Sequence, residues 1–184
     1  PRRTGLLAAL ELMGADISVE NERSSGGEEI ADLIVRYRPL HGVALPLDIV
    51  PDMIDEFPAL FVAAAAAEGM TTIRGAAELR VKESDRIASM ANGLKACGVL
   101  IDELPDGAMI RGGEIHGGTV DSHGDHRIAM SFAIAGVLAT CPIVNGDCAN
   151  VATSFPGVLE LANGVGFRIA PVVRSRLRAG RPPT

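Results

Sequence analysis

Four short segments place polar side chains, most of them ionisable, at the start of a predicted helix, where backbone N–H groups are unpaired and can receive a ligand. The richest is residues 79–86, LRVKESDR, in which Ser84 or Asp85 can cap a helix that continues through apolar positions. Lys82 and Arg86 then lie beside the positive end of the helix dipole, which is unfavourable for a cation. An anionic ligand between them would relieve this conflict. A surface salt-bridge cluster with the neighbouring acidic residues explains the spacing equally well.

Residues 121–127, DSHGDHR, repeat this arrangement before a second apolar helix. An aspartate occupies the cap position, and Arg127 follows it in the first turn. The His-x-x-His spacing of His123 and His126 is compatible with a metal site, but a further carboxylate ligand would have to come from elsewhere. We therefore expect no metal here.

The other two segments are residues 51–58, PDMIDEFP, and residues 153–156, TSFP. Asp55 suits the N-cap of a helix whose first turn contains Pro58, because the missing N–H of proline costs little there. Capping explains Asp55 better than catalysis does on this pattern alone. Thr153 and its neighbours are expected to start a fourth helix in the same way.

Two repeated patterns indicate the elements that carry these segments. In the first, an apolar-periodic helix ends at a glycine and is followed by a short strand, at residues 6–19, 90–101 and 158–169. In the second, an alanine-rich helix, at residues 54–67 and again at 127–139, leads to a strand and then to a glycine. Those two glycines, Gly75 and Gly146, are 71 residues apart. Further strands are expected at residues 32–37, 108–111 and 119–122.

Such a repeat predicts a pseudo-symmetric mixed α/β domain rather than an open solenoid. Adding 71 residues carries Asp55 to His126 and Lys82 to Thr153, so equivalent helix starts carry the polar residues. If the pseudo-symmetry gathers these starts on one face, their dipoles create an anion-attracting surface in spite of the net charge of -6.

Length and composition restrict the class of protein. The 184 residues suit one compact domain, placed at residues 1–171, followed by an arginine-rich tail at 172–184 that we expect to be disordered. Aromatic residues make up 3% and there is no Trp, which argues against a nucleic-acid partner. The longest apolar run, residues 57–67, is too short to span a membrane, and no secretion signal opens the chain, so a cytoplasmic location is expected. The three cysteines are expected to be reduced and mostly buried.

Three motifs carry a resemblance to a known family. They are RVKESDR at residues 80–86, GDHRIAM at 124–130 and TSFP at 153–156. In order and spacing they resemble the C-terminal half of 5-enolpyruvylshikimate-3-phosphate synthases, with a match from about residue 3 to residue 169. UDP-N-acetylglucosamine enolpyruvyl transferases share the fold but not this set of motifs. The resemblance implies an inside-out α/β domain, built as a pseudo-threefold repeat of βαβαββ units with helices inside and sheets outside.

The resemblance also implies an activity. Enzymes of this family transfer the enolpyruvyl group of phosphoenolpyruvate to the 5-hydroxyl of shikimate 3-phosphate, in aromatic amino acid biosynthesis, and release phosphate through a tetrahedral intermediate. They are the target of glyphosate, and no metal or organic cofactor is expected. Because the substrates bind between two domains, the chain alone is expected to be inactive without an N-terminal half. The alternatives are a non-catalytic anion-binding module and an enolpyruvyl transferase for another acceptor.

Roles for individual residues follow from the same resemblance. Asp55 would lie next to the 5-hydroxyl as general base or proton relay, and Lys82 would contact shikimate 3-phosphate near that oxygen. Glu83 would be the general acid and base at the methylene carbon of phosphoenolpyruvate. Arg86 and Arg127 would clamp the phosphate and carboxylate of phosphoenolpyruvate, which suits planar guanidinium groups.

Three further positions complete the expected substrate-binding set. His126 would be a neighbour of the bound substrates. Thr153 stands where one branch of the family has a lysine, and Glu78 stands where that branch has an asparagine that contacts the shikimate ring. Other branches, including some noted for glyphosate tolerance, resemble this chain at both positions.

Overall fold

The computed structural model describes residues 3–172, and the tail proposed at 172–184 lies outside that range from residue 173 onward. Its strands are β1 Asp16–Ser25, β2 Glu28–Arg36, β3 Met70–Ile73, β4 Leu100–Leu104, β5 Gly107–Arg111, β6 Gly118–Asp121 and β7 Ile143–Gly146. Its α-helices are α1 Gly5–Leu12, α2 Phe57–Ala66, α3 Arg86–Ala96, α4 His126–Leu138, α5 Ala149–Ser154 and α6 Val158–Gly164. Short 3-10 helices cover Leu47–Ile49, Pro51–Met53 and Ala77–Val81. No helix among the described residues is long and apolar enough to cross a membrane.

The middle of the chain forms a complete βαβαββ unit, as the resemblance predicts. Residues 41–44 run parallel to β3, with bridges from His41 to Glu68 and from Ala44 to Thr72. The hairpin of β4 and β5 then adds antiparallel to β3, in the order β3-β5-β4. The parallel pair β6 and β7, joined through α4, matches the first half of another unit, and α1, β1 and β2 match the last three elements of a third. The mixed α/β class is confirmed.

The helices α2, α3 and α4 form the interior. They contact one another, and sheet strands cover them: β5 lies against α2, β4 and β6 against α3, and β7 against α4. Helix α2 is apolar on all sides, and its Phe57, Leu60 and Phe61 are at most 1% exposed. A helix without a polar face is stable only where it is surrounded by protein. This burial fixes the start of α2 inside the domain, and the catalytic candidates are attached there.

A glycine permits the close approach of α3 to α4. Gly93 lies against the ring of Phe132, and a Cβ added at Gly93 would overlap that ring. Gly136 of α4 is also helical, yet nothing lies within 4 Å of a Cβ added there.

These two glycines give a matched pair of substitutions. We expect Gly93→Ala to destabilise the chain by about 1–3 kcal/mol through overpacking against Phe132. Gly136→Ala should instead stabilise it by about 0.5–1 kcal/mol, because alanine is the better helix former. Urea unfolding of both variants measures the difference. Equal effects of the two substitutions would contradict this account of the α3–α4 contact.

Three expected elements differ in the structure. The second helix begins at Phe57 rather than at residue 54, because residues 51–53 form a 3-10 turn, and Glu56 occupies its N-cap position without a side-chain hydrogen bond. The predicted capping by Asp55 is therefore wrong. Residues 153–156 do not start a helix either: α5 ends at Ser154, and Gly157, with φ of 81°, separates it from α6. Residues 167–169 form no strand, and the Asn163 side chain binds the backbone of Ile169 instead.

The cysteines are free, as expected, but they are not mostly buried. Cys97, the C-cap residue of α3, is buried, Cys148 is half-buried and Cys141 is exposed. Cys141 lies in the turn before β7, where the chain is at the surface, so its small apolar side chain is not drawn into the core.

Candidate active site at three helix starts

The N-terminal ends of α2, α3 and α4 meet at one point. Asp55 precedes α2 by two residues, Arg86 is the first residue of α3, and Arg127 is the second residue of α4. Nη1 of Arg86 donates to Oδ1 of Asp55 at 3.3 Å, and Nη1 of Arg127 donates to the main-chain oxygen of Asp55 at 3.0 Å. Nη2 of Arg127 is 3.8 Å from Oδ2 of Asp55. The predicted gathering of helix starts is confirmed for these three helices.

Side-chain caps determine where α3 and α4 begin. Oδ1 of Asp85 accepts from the amide of Ala88 at 3.0 Å, and Oδ1 of Asp125 accepts from the amide of Arg127 at 2.9 Å. Each cap satisfies an N–H group that the helix leaves unpaired. Both caps confirm the sequence prediction, and they place Arg86 and Arg127 in the first turns of their helices.

Arg86 is buried, with 1% of its side chain exposed. Its Nε donates to Oδ2 of Asp125 at 2.8 Å, and its Nη2 donates to Oε2 of Glu83 at 2.5 Å. With Asp55, three carboxylates surround this one guanidinium, and Asp125 is itself fully buried. The conflict between the cation and the helix dipole is therefore relieved by the protein's own carboxylates. Of the two arginines, Arg127 has the greater contact with solvent, at 32% exposed.

Cations lower the pKa of the two central aspartates. Burial alone would raise the pKa of Asp55, but the charges of Arg127, Lys82 and Arg3 and the hydrogen bond from Arg86 outweigh it, so the pKa is lowered. Burial likewise opposes ionisation of Asp125, whose pKa is nevertheless lowered by Arg86, by the Arg127 amide and by Ser84. Both carboxylates are ionised at neutral pH.

These shifts predict how Asp55 contributes to stability as pH changes. A carboxyl group with a lowered folded pKa adds stability that is complete above its unfolded value, near 3.9, and is lost as pH falls through the folded value. We expect the free energy of unfolding to decline below about pH 4, and to decline less steeply in Asp55→Asn. Urea unfolding at pH 7, 5, 4 and 3 measures both curves. Parallel curves would show that Asp55 has no lowered pKa.

Lys82 and Glu78 are two more of the expected residues, and they lie in or next to the 3-10 helix Ala77–Val81. Nζ of Lys82 makes a close ion pair with Oε1 of Glu78 and lies 4.0 Å from Oδ1 of Asp55. The side chain of Glu83 is 55% exposed, so its carboxylate lies at the solvent edge of the cluster. Beside Glu83 is a shallow depression of about 340 Å³, lined by Glu83, Ser84, Asp85, Ala88, Ser89, Asn92 and His123.

The last two expected residues are not bonded to this cluster. His126 is the half-buried first residue of α4, and Thr153 is an exposed residue near the end of α5. Within residues 3–172, no hydrogen bond or ion pair connects either of them to Asp55. Nor does that part of the chain contain a group of three or more His, Cys, Asp or Glu residues that could hold a metal ion.

Sequence reasoning missed two contributors. Nη2 of Arg3 donates to Oδ2 of Asp55 at 2.9 Å and to Oε1 of Glu56 at 3.1 Å, and no local pattern connects residues 52 positions apart. Asp125 was expected only as a possible cap, but its second oxygen also binds Arg86 and accepts from Oγ of Ser84 at 3.1 Å. The signal for Asp125 was its position inside the motif that contains Arg127.

Comparison with known proteins identifies the family. The family model for EPSP synthase (3-phosphoshikimate 1-carboxyvinyltransferase) matches residues 2–161. The chain belongs to the EPSP synthase family. It is 67% identical over 167 residues to a 3-phosphoshikimate 1-carboxyvinyltransferase of Xanthomonas euvesicatoria pv. vesicatoria, and 65% identical over 170 residues to one of Xanthomonas campestris pv. campestris. These alignments cover 91% and 92% of the chain.

Solved structures agree with this family assignment. An EPSP synthase from Acinetobacter baumannii superposes with a TM-score of 0.87 at 53% identity, over 90% of this chain and 39% of that one. The enolpyruvyl transferase NikO from Streptomyces tendae superposes with a TM-score of 0.61 at 20% identity, over 88% of this chain and 35% of that one, and shows the shared fold. The chain spans only 38% and 39% of the length of the two Xanthomonas relatives.

Proposed function

We propose that this chain is the C-terminal-type domain of a 3-phosphoshikimate 1-carboxyvinyltransferase and supplies half of its active site. The enzyme would transfer enolpyruvyl from phosphoenolpyruvate to the 5-hydroxyl of shikimate 3-phosphate. The observation that carries this proposal is the convergence of three helix starts on Asp55, which brings Arg86, Arg127 and Lys82 to one carboxylate. The remaining length of such an enzyme would form the opposite wall of the cleft, and a cytoplasmic location belongs to the same proposal.

The cations would hold the anionic groups of the substrates. Arg127 and Lys82 are both partly open to solvent, at 32% and 23% exposed, and both lie near Asp55. Arg86 is buried, but among residues 3–172 its Nη2 is bound only by the exposed carboxylate of Glu83. We infer that a phosphate or carboxylate of phosphoenolpyruvate takes the place of Glu83 on Arg86. That exchange would free Glu83 to turn toward the bound substrate.

The carboxylates would then move protons in two stages. In the first, the oxygen of the 5-hydroxyl bonds to C2 of phosphoenolpyruvate and loses its proton to Asp55, directly or through Lys82, while Glu83 gives a proton to C3. In the second, Glu83 takes a proton back from C3 as the bond from C2 to the phosphate oxygen breaks. The departing phosphate takes up the proton held by Asp55, which leaves the enolpyruvyl ether and returns both carboxyl groups to their starting states. Asp55 is ionised at neutral pH and can accept the hydroxyl proton, while its lowered pKa means that it returns this proton easily.

The acceptor is the feature that separates this proposal from its alternatives. The likeness to NikO at 20% identity reflects a shared fold, whereas the Xanthomonas proteins at 65–67% identity are named for the shikimate substrate. Glu78, His126 and Thr153 would help to surround that substrate. Presence of the acid–base groups together with the cations favours an enzyme over a module that only binds anions.

A fusion protein tests the proposal directly. Residues 3–169 of this chain would replace the matching segment of the Xanthomonas euvesicatoria relative, so that the rest of the cleft comes from a protein 67% identical over the exchanged part. We expect phosphate release that requires both phosphoenolpyruvate and shikimate 3-phosphate, and no release from the chain by itself. A folded fusion protein that turns over neither substrate would support the binding-module alternative. Turnover only with an acceptor alcohol other than shikimate 3-phosphate would support the alternative of an enolpyruvyl transferase for another acceptor.

A further inference from the structure

Arg80 is the one residue of the RVKESDR motif whose side chain spans from the motif to a neighbouring hairpin. It lies in the 3-10 helix Ala77–Val81, and its guanidinium faces the turn between β4 and β5. Nε donates to the main-chain oxygen of Pro105 at 2.7 Å, and Nη2 donates to that of Leu104 at 2.6 Å. Nη1 lies 2.9 Å from Oε1 of Glu103. Three acceptors on one hairpin therefore fix the orientation of this side chain.

The same guanidinium also reaches forward to the start of α3. Nη1 of Arg80 donates to Oδ2 of Asp85 at 2.8 Å, while the other oxygen of Asp85 caps the amide of Ala88. The ion pair thus closes a small ring around residues 81–84. Lys82 and Glu83, two of the proposed catalytic residues, lie inside that ring.

The backbone of the enclosed segment makes few hydrogen bonds, and its polar side chains are paired individually: Lys82 with Glu78, Glu83 with Arg86 and Ser84 with Asp125. Val81 is 81% exposed, and the side chain of Glu83 is 55% exposed. Among residues 3–172, the amides of Glu83 and Ser84 donate no backbone hydrogen bond. A surface segment with so few backbone hydrogen bonds depends on restraints at its ends to keep its backbone in one position.

The hairpin turn is a firm anchor for such a restraint. Its Asp106 accepts from the amide of Ala76 through the main-chain oxygen, at 2.8 Å, and from the amide of Gly75 through Oδ2, at 2.9 Å. These bonds do not involve Arg80. The turn consequently keeps its position whether or not Arg80 is present.

We propose that Arg80 is a positioning residue that holds the 81–84 segment in place by clasping Asp85 to the β4–β5 turn. It touches no substrate in this role, and its consequence for catalysis rests on the proposed function. Arginine is required because its planar fork reaches several acceptors at once, which the point charge of lysine cannot do.

NMR relaxation of the isolated chain tests the positioning without any reliance on activity. Backbone order parameters of residues 82–84 should be near 0.85 in the unsubstituted chain and fall below about 0.6 in Arg80→Met. Arg80→Lys should lie between the two. Arg74→Met is the matched control, because Arg74 pairs with Asp106 on the same turn at 3.1 Å and makes no contact with Asp85. Unchanged order parameters in a folded Arg80→Met chain would overturn the proposal, as would equal losses in both variants.

Kinetics of the fusion protein then measure how far the loss of Arg80 lowers the rate of the proposed reaction. We expect Arg80→Met to lower kcat by about 10–100-fold, since misplacing a catalytic group by about 1 Å has an effect of this size. Asp85→Asn, which keeps a capping side chain, should produce a similar loss, and the double variant should lose no more than either alone. Fully additive losses would count against the clasp. If the unsubstituted fusion protein is inactive, the proposed function fails, and the order parameters still decide the role of Arg80.

Discussion

Replacing Glu83 by glutamine in the fusion protein is expected to lower the rate of phosphate release by about 10²–10⁴-fold, the range for loss of a general acid or base. Glutamine has nearly the same shape and can still accept from Arg86, but it can neither donate nor recover the proton at the methylene carbon. The melting temperature should change little, because the side chain is 55% exposed. Phosphate release at saturating concentrations of both substrates gives the measurement.

Glu114→Gln provides the matched control for that substitution. Glu114 is similarly exposed, at 64%, and its described contact is with His116, away from the cluster around Asp55. We expect this variant to retain the full rate. If Glu83→Gln also retained it, the proton transfer would have to be assigned to another group, and Glu83 would be left with only its ion pair to Arg86.

The second large effect is expected from replacing Asp125 by asparagine, which should lower the stability of the fold. Asp125→Asn preserves the shape of the cap on α4 but leaves the buried guanidinium of Arg86 without its fully buried carboxylate partner. Removing one partner of a buried ion pair costs about 3–5 kcal/mol, and we expect a loss of this order because the carboxylates that remain on Arg86, Asp55 and Glu83, are both partly exposed. For a chain of this size that corresponds to a fall in melting temperature of about 6–20 °C. Calorimetry or urea unfolding of the chain measures it.

A double substitution separates the buried charge from the loss of packing. Arg86→Met combined with Asp125→Asn removes both charges, so we expect it to be more stable than Asp125→Asn alone. Asp32→Asn is the surface control: its pair with Arg23 spans 3.4 Å between two half-exposed side chains, and its loss should cost about 0–1 kcal/mol. A double variant less stable than the single one would mean that packing of Arg86, not its charge, dominates.

Interactions within a few residues were readable from the sequence. The caps at Asp85 and Asp125 depend on a side chain and an amide two or three positions apart. Apolar periodicity marks α3 and α4, and Gly98 marks the end of α3. The motifs that carried the family resemblance are likewise short and continuous. For the same reason the sequence alone could indicate which residues stand at the starts of α3 and α4.

Local sequence patterns predicted two helix starts wrongly, because each segment could begin a helix at more than one residue. The segments around Asp55 and Thr153 both combine a small polar residue with a following proline, which favours a helix start. At the first, a 3-10 turn moved the start of α2 two residues beyond Asp55 and left the carboxylate free for the arginines. At the second, an earlier helix already occupied Thr153, and the left-handed Gly157 separated α5 from α6. The predicted and the observed helix boundaries are both compatible with the same local sequence, so only the packing of the whole chain distinguishes them.

The sequence by itself determined the family and the mixed α/β class, and it predicted a set of residues for acid–base and anion-binding chemistry. The tertiary structure decided that Arg86 is buried among three carboxylates, that Arg3 reaches Asp55 across 52 positions, and that Arg80 ties the motif to a hairpin. Contacts of this kind join residues that are 24 to 52 positions apart in the sequence. Their energies depend on burial and distance, which arise only when the apolar helices α2, α3 and α4 pack together.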